Sequence, residues 1–244
     1  MTQPVRPRDA DQSSALGRAQ DHLKQLVFGG NDGIVTTFAI VAGFAGAGAE
    51  GVVEIGALAV LVFGLANLFA DAVSMGLGEF LSMRSQNDLY AQRHAAQMAR
   101  IRRDPAAETA LMAGLLQTRG LPERQAVETA QLLAAHPPLM ADLTLSWGYG
   151  MQAPEDADPA LNGVMTFISF VVFGVVPLSP YFVMEPVAAT FYTSVAMTLL
   201  ALVALGVLRW VATRDGLRRA LVETVAVGSI CALVAFGVGW LVGG

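Results

Sequence analysis

The chain has 244 residues, of which 54% are hydrophobic and only 14% charged. Soluble domains carry about 25% charged residues, so this composition, with a mean hydropathy of +0.53, excludes an ordinary soluble protein and points to the membrane. A net charge of −5 gives no reason to expect a nucleic-acid partner, and the single cysteine, Cys231, excludes an internal disulfide or a cysteine-rich metal centre.

Residues 1–26 are polar and mixed in charge, without the apolar core and small-residue cleavage site of a secretion signal, and are expected to remain as a cytoplasmic segment. Five apolar stretches follow, at 27–48, 55–80, 161–183, 187–208 and 220–242. Each has the ~20 residues that cross a hydrocarbon core of ~30 Å as a helix. The expected fold is therefore an all-α integral membrane protein of five transmembrane helices with a helical domain between the second and third. Its divisions are 1–26, 27–83 (spans 1 and 2), 84–160 (cytoplasmic helical domain) and 161–244 (spans 3 to 5).

Spans 1 and 2 are rich in small residues. Ala39, Gly43 and Ala47 recur at every fourth position, as do Ala72 and Gly76, a spacing that lets helix backbones approach without naming the partner. Span 2 meets no breaker at its end, and RSQNDLYAQRHAAQMARIRR continues in helix formers until Asp104-Pro105, so one long helix is expected to leave the membrane. Helices are expected near 105–118, ended by Gly120, near 122–135, ended by His136-Pro137-Pro138, and over 139–147. QAPEDADP, 152–159, reads as a linker. In span 3, Pro177 and Pro180 should kink or finish the helix, and Pro186 should start span 4. Trp210 and Trp240 stand at span ends, as interfacial aromatics do. Cys231, inside span 5, reads as a small buried apolar residue.

The basic residues orient these elements. Arg6, Arg8, Arg18 and Lys24 precede span 1, Arg84 to Arg124 lie between spans 2 and 3, and Arg209, Arg214, Arg218 and Arg219 join spans 4 and 5. These segments hold all 15 Lys and Arg of the chain. The positive-inside rule then places the N-terminus and residues 84–160 in the cytoplasm and the C-terminus outside.

Acids break the apolar pattern in two places, Asp32 in span 1 and Asp71 with Glu79 in span 2. A carboxylate at membrane depth costs ~2.5–3.5 kcal/mol even on the mildest scale, so it should face a bundle interior or a water-filled path. Asn67, Asp71, Met75 and Glu79 are spaced by four and line one broad helix face. Carboxylates suit hard and borderline divalent cations, and a thioether adds a softer ligand, so the set points to Fe²⁺, Mn²⁺, Co²⁺ or Zn²⁺. Asp32, beside Gly29, Gly30 and Gly33, is placed to meet this face where helices approach closely, and to exchange a proton as metal comes and goes. Packing and interhelical hydrogen bonding are the competing roles for Met75 and Asn67, and pairing with Arg84 is the competing role for Glu79.

These same segments, GGNDGIVTTFAIVAGFAGAG and LANLFADAVSMGLGEFLSMRSQND, resemble the vacuolar iron transporter family, with weaker likeness through RGLP, HPP and VVPLSPYF. The resemblance implies a homodimer that moves Fe²⁺ or Mn²⁺ out of the cytoplasm by proton antiport, along a path between spans 1 and 2 at the subunit interface. It implies no permanently bound cofactor, since the metal is cargo. It maps the family's transport aspartate onto Asp32 and its methionine ligand onto Met75; a glutamate used by some members falls at Asn67, where Asp71 is the nearby substitute.

In iron-transporting relatives the cytoplasmic domain gathers metal with a glutamate cluster closed by a Met-Met-x-x-Glu element. At the matching positions this chain has Gln97, Arg100, Leu111, Thr144, Leu145 and Gly148, and only Glu108 keeps its acid. His94 with Met98, and Glu108 with Met112, are left as weak pairs. The domain is expected to keep its helices and lose the multi-metal cluster. Composition rich in Ala, Gly and Arg suggests a bacterial inner membrane. The alternative function is a non-transporting membrane scaffold or metal sensor on the same fold; an enzyme has no nucleophile–base constellation or phosphate-binding loop to support it.

Overall fold

A computed structural model describes residues 10–47, 53–154, 158–185, 187–213 and 216–243. Every regular element among them is a helix, and the chain is an all-α membrane protein. Five segments are long and apolar enough to cross a bilayer: Gln25–Gly46, Leu58–Arg103, Pro159–Val183, Ala188–Val211 and Leu217–Gly243.

Helix α1 (Ala10–Gly46) begins well before the first apolar residue. From residue 10 to 26 the polar stretch ahead of span 1 holds no proline and is mostly Ala, Leu, Gln, Lys and Arg, so helix propensity carries on where hydropathy falls silent. Helix α2 (Val53–Arg103) runs unbroken for 51 residues and stops at Asp104-Pro105, because proline disfavours helical backbone at the residue before it. Asp104 then starts α3 (Pro105–Thr118), its side chain accepting the Ala107 N–H at 3.0 Å. Helices α4 (Glu123–Ala134) and α5 (Pro137–Tyr149) follow, and α5 is longer than the 139–147 expected because both prolines fit in its first turn. Helix α6 is Pro159–Gly174, α7 Ser179–Val183, α8 Ala188–Thr213 and α9 Leu217–Gly243. Pro186, expected to open span 4, lies outside the described residues.

The chain divides into two compact units, Met1–Phe80 with Asp158–Gly244, and Leu81–Ala157. In the first, α1 packs against α6, α8 and α9. Ile34 meets Leu202 and Leu205, Phe38 and Val41 meet Leu178, and Phe170 of α6 closes on Leu68 and Ala72 of α2. The small-residue stripes acquire partners here. A Cβ on Gly163 of α6 would stand 2.6 Å from the Gly76 carbonyl, and one on Gly239 of α9 would strike the Gly43 carbonyl. Backbone-to-backbone approach replaces the hydrophobic drive that lipid removes.

Span 3 is not one helix. Its prolines end α6 at Gly174, and turns lead to the short α7. Backbone released in lipid needs partners from within the protein, and Ser194 of α8 supplies one, donating to the Pro177 carbonyl at 2.6 Å, while Ser179 donates to Val176 at 2.7 Å. Leu58, Phe63 and Leu77 of α2 and Leu233 and Leu241 of α9 remain exposed on the unit's outside. Cys231 also departs from expectation: it is half-buried rather than buried, because α9 turns most of its surface outward.

The second unit packs Ile101 of α2 with Met112, Ala113 and Leu116 of α3, Ala126 and Ala130 of α4, and Met140 and Ala141 of α5. Gly120, at φ +98°, makes the tight turn after α3 that side chains rarely adopt. Arg119 lies over the Trp147 ring, 5.5 Å from its centre.

Candidate metal path

On α2, Leu68, Ala72 and Gly76 are buried, Phe69, Val73 and Leu77 are exposed, and Asn67, Asp71, Met75 and Glu79 lie between them, each half-buried. The polar stripe therefore follows the border of the packed face. Asn67 Nδ2 donates to Asp71 Oδ2 at 2.6 Å, so the amide serves the carboxylate one turn along its own helix rather than bridging to another helix. Met75 packs beside Leu68, Ala72 and Phe170, which gives it a packing role together with any ligand role.

Asp32 on α1 is half-buried. Thr36 Oγ1 donates to the Asp32 backbone carbonyl at 2.8 Å. The neighbouring glycines were expected to bring α1 close to the stripe, but they serve other helices. Gly29 abuts Thr166 and Ser169, Gly33 abuts the Phe170 backbone, and Gly30 sits under Phe173 and Leu205. Residues one position apart on a helix differ by about 100° in direction, so the contact that seats Gly33 on the Phe170 backbone leaves Asp32 turned away from it. On α2 itself, Met75 and Glu79 stand on successive turns beyond Asp71, and the hydrogen-bonded link from this stripe to α1 runs through Glu79.

Glu79 is held by a residue that sequence reasoning passed over. Gln25 Nε2 donates to Glu79 Oε1 at 2.7 Å, and Gln25 Oε1 accepts from Thr166 Oγ1 of α6 at 3.1 Å. Gln25 is 4% exposed. A polar side chain opening an apolar span was the available signal, overshadowed by the acids. Asn31, next to Asp32, was also missed; its buried Oδ1 has no hydrogen-bond partner among the described residues.

In the second unit, Glu108 is 5% exposed and its carboxylate is already committed. Gln97 Nε2 donates to Oε2 at 2.5 Å, Arg100 Nε and Nη2 both lie 2.9 Å from Oε1, and Arg100 Nη1 donates to the Tyr149 hydroxyl at 3.1 Å. The two weak pairs are spoken for as well. His94 Nε2 lies 3.3 Å from Asp142, Met98 packs against the unit's core, and Met112 is fully buried in it. Among the described residues no three His, Cys, Asp or Glu side chains gather to hold a metal ion. The donors of this unit do not fit a multi-metal cluster, because a guanidinium takes the position a cation would need.

The VIT family model matches residues 23–240. The chain is 30% identical over 219 residues to vacuolar iron transporter 1 of Tulipa gesneriana, covering 89% of this chain and 86% of that protein. To vacuolar iron transporter 1 of Arabidopsis thaliana it is 30% identical over 219 residues, covering 89% and 85%. To the vacuolar iron transporter of Plasmodium falciparum (isolate 3D7) it is 32% identical over 165 residues, covering 66% and 58%. These relatives are eukaryotic and vacuolar by name, and lend no support to the bacterial inner membrane suggested by composition.

Proposed function

Because the chain belongs to the VIT family, we propose that it is a transporter of divalent transition metal, carrying Fe²⁺ or Mn²⁺ out of the cytoplasm in exchange for protons. The observation that carries the reading is the row Asn67, Asp71, Met75 and Glu79 along the border of the packed face of α2, joined to α1 through Gln25 and Glu79 inside the membrane unit. Carboxylates held at such depth need a counter-ion, and a thioether in the same row favours a transition metal over Mg²⁺ or Ca²⁺. Asp32 and Met75 are the core ligands, Asp71 supports the ion with Asn67 orienting it, and Glu79 receives the ion at the cytoplasmic end. A carboxylate that gives up its metal at this depth needs another positive charge in its place, which is the basis for coupling to protons. The distribution of Lys and Arg supports a cytoplasmic N-terminus and an external C-terminus. The exposed apolar face of α2 suits a second copy of the chain, in keeping with a homodimer.

Metal flux into proteoliposomes tests the assignment. Asp32→Ala and Met75→Ala are expected to abolish or sharply reduce Fe²⁺ and Mn²⁺ uptake, and undiminished flux in both would overturn it. The committed Glu108 favours a second reading, a membrane scaffold or sensor that no longer collects metal. Cells lacking their own exporter separate the two: protection against excess Fe²⁺ or Mn²⁺ supports transport, and no protection supports the scaffold.

A further inference from the structure

Gln25, Glu79 and Thr166 join α1, α2 and α6 through side chains alone, and the geometry around the amide has two solutions. Thr166 Oγ1 lies 3.1 Å from Gln25 Oε1 and 2.9 Å from the Asn162 carbonyl. A hydroxyl has one proton and two lone pairs. It can therefore donate to either oxygen, and when it donates to Asn162 it can accept an N–H from Gln25.

We propose that Gln25 and Glu79 form a cation site at the entrance of the path, and that Gln25 changes roles by rotating its amide. Without a cation, Nε2 holds the Glu79 carboxylate at 2.7 Å. With a cation, a half-turn of the amide brings Oε1 to the position Nε2 held, and the carbonyl oxygen becomes a ligand beside Glu79. Nε2 then faces Thr166, whose hydroxyl gives its proton to Asn162 and accepts from the amide. No buried polar atom of Gln25 or Thr166 loses its partner in either state, which matters because both residues are buried. Amide and carboxylate oxygens with water make a hard, incomplete shell that a divalent cation such as Mn²⁺ accepts and also leaves. The site grips the ion through one charge only, as an entrance requires.

This site rests on the transport reading for its purpose, but its binding is measurable separately. Full-length protein in detergent is titrated with Mn²⁺ and followed by electron paramagnetic resonance, and the same preparations are assayed for Mn²⁺ uptake in proteoliposomes. Gln25→Leu is expected to raise the half-saturating Mn²⁺ concentration for uptake about tenfold, with the maximal rate retained. Thr166→Val, which removes the hydroxyl that partners the turned amide, weakens binding less than Gln25→Leu. Should Gln25→Leu fail to fold, Gln25→Ala serves as the smaller replacement without a ligand atom. A folded Gln25→Leu or Gln25→Ala protein with unchanged half-saturation overturns the proposal. If the unaltered protein moves no metal, the transport reading fails, and the dependence of Mn²⁺ binding on Gln25 still decides the site.

Discussion

Arg100 and Glu108 are joined through a single carboxylate oxygen, with Nε and Nη2 both 2.9 Å from Oε1. The charge that neutralises this buried acid is built into the chain. Removing one partner of a buried pair costs about 3–5 kcal/mol. The Arg100 side chain is 47% exposed, so water replaces part of the loss and Arg100→Ala should cost about 2 kcal/mol. Thermal unfolding in detergent measures it. Arg100→Ala combined with Glu108→Gln, which removes the buried charge and keeps an acceptor for the buried Gln97 amide, should recover most of that stability, and a double variant as unstable as Arg100→Ala would refute the pairing argument.

Metal removal should leave the second unit untouched. Its core is apolar and its buried acid is internally paired. Hydrogen exchange across α3, α4 and α5 is expected to be the same in chelator and in millimolar Mn²⁺. Protection gained in α3 or α5 on adding Mn²⁺ would reveal a metal site there.

Asn67 orients Asp71 through one hydrogen bond of 2.6 Å. Such a bond is worth about 1 kcal/mol, so Asn67→Ala should raise the metal concentration for half-maximal uptake roughly fivefold. Asn67→Asp, which sets a second carboxylate one turn from Asp71, should lower it. Uptake curves for the two variants that coincide would remove Asn67 from the path.

The glycine contact between α2 and α6 predicts a contrast within span 2 and span 3. Gly163→Ala places a Cβ 2.6 Å from the Gly76 carbonyl, while nothing lies within 4 Å of a Cβ at Gly78. The first should destabilise by about 1–3 kcal/mol, and Gly78→Ala should be neutral or slightly stabilising, since alanine is the better helix former. Equal unfolding temperatures for both would show that the helices do not approach as closely as described.

Orientation is open to a direct check because the native chain has one cysteine. In a Cys231→Ala background, Gln86→Cys should react with a membrane-impermeant maleimide only after cells are opened. Val242→Cys should react in intact cells. The reverse pattern would invert the topology.

What the amino-acid order reveals about this protein is whatever acts locally. Hydropathy and breakers mark the five spans, and the Asp104-Pro105 stop of α2 falls where it reads, since a proline terminates a helix without help from tertiary contacts. The helical start of α1 was not legible from hydropathy, which is silent on polar helices. Small-residue stripes announced close packing yet carried no address, and Gly43 and Gly76 found α9 and α6 only in three dimensions. In the candidate path the acids stood out by their cost in lipid. Gln25, 54 positions from Glu79, did not, because an amide is cheap enough to pass unnoticed. Arg100 and Glu108 were each visible as a lost and a kept acid, but their union depends on the turn between α2 and α3.

The grip of α6, α8 and α9 on α1 has a mechanical consequence. Backbone contacts at Gly33, Gly43 and Gly46 clamp α1 to α6 and α9 like a stator, with no slack for it to slide. Gly76 of α2 bears on Gly163 of α6 through the same kind of backbone contact, so α6 braces both helices. Asp32 and Asp71 therefore ride on two helices that share one strut, and a change in the seat of α6 would be felt at both.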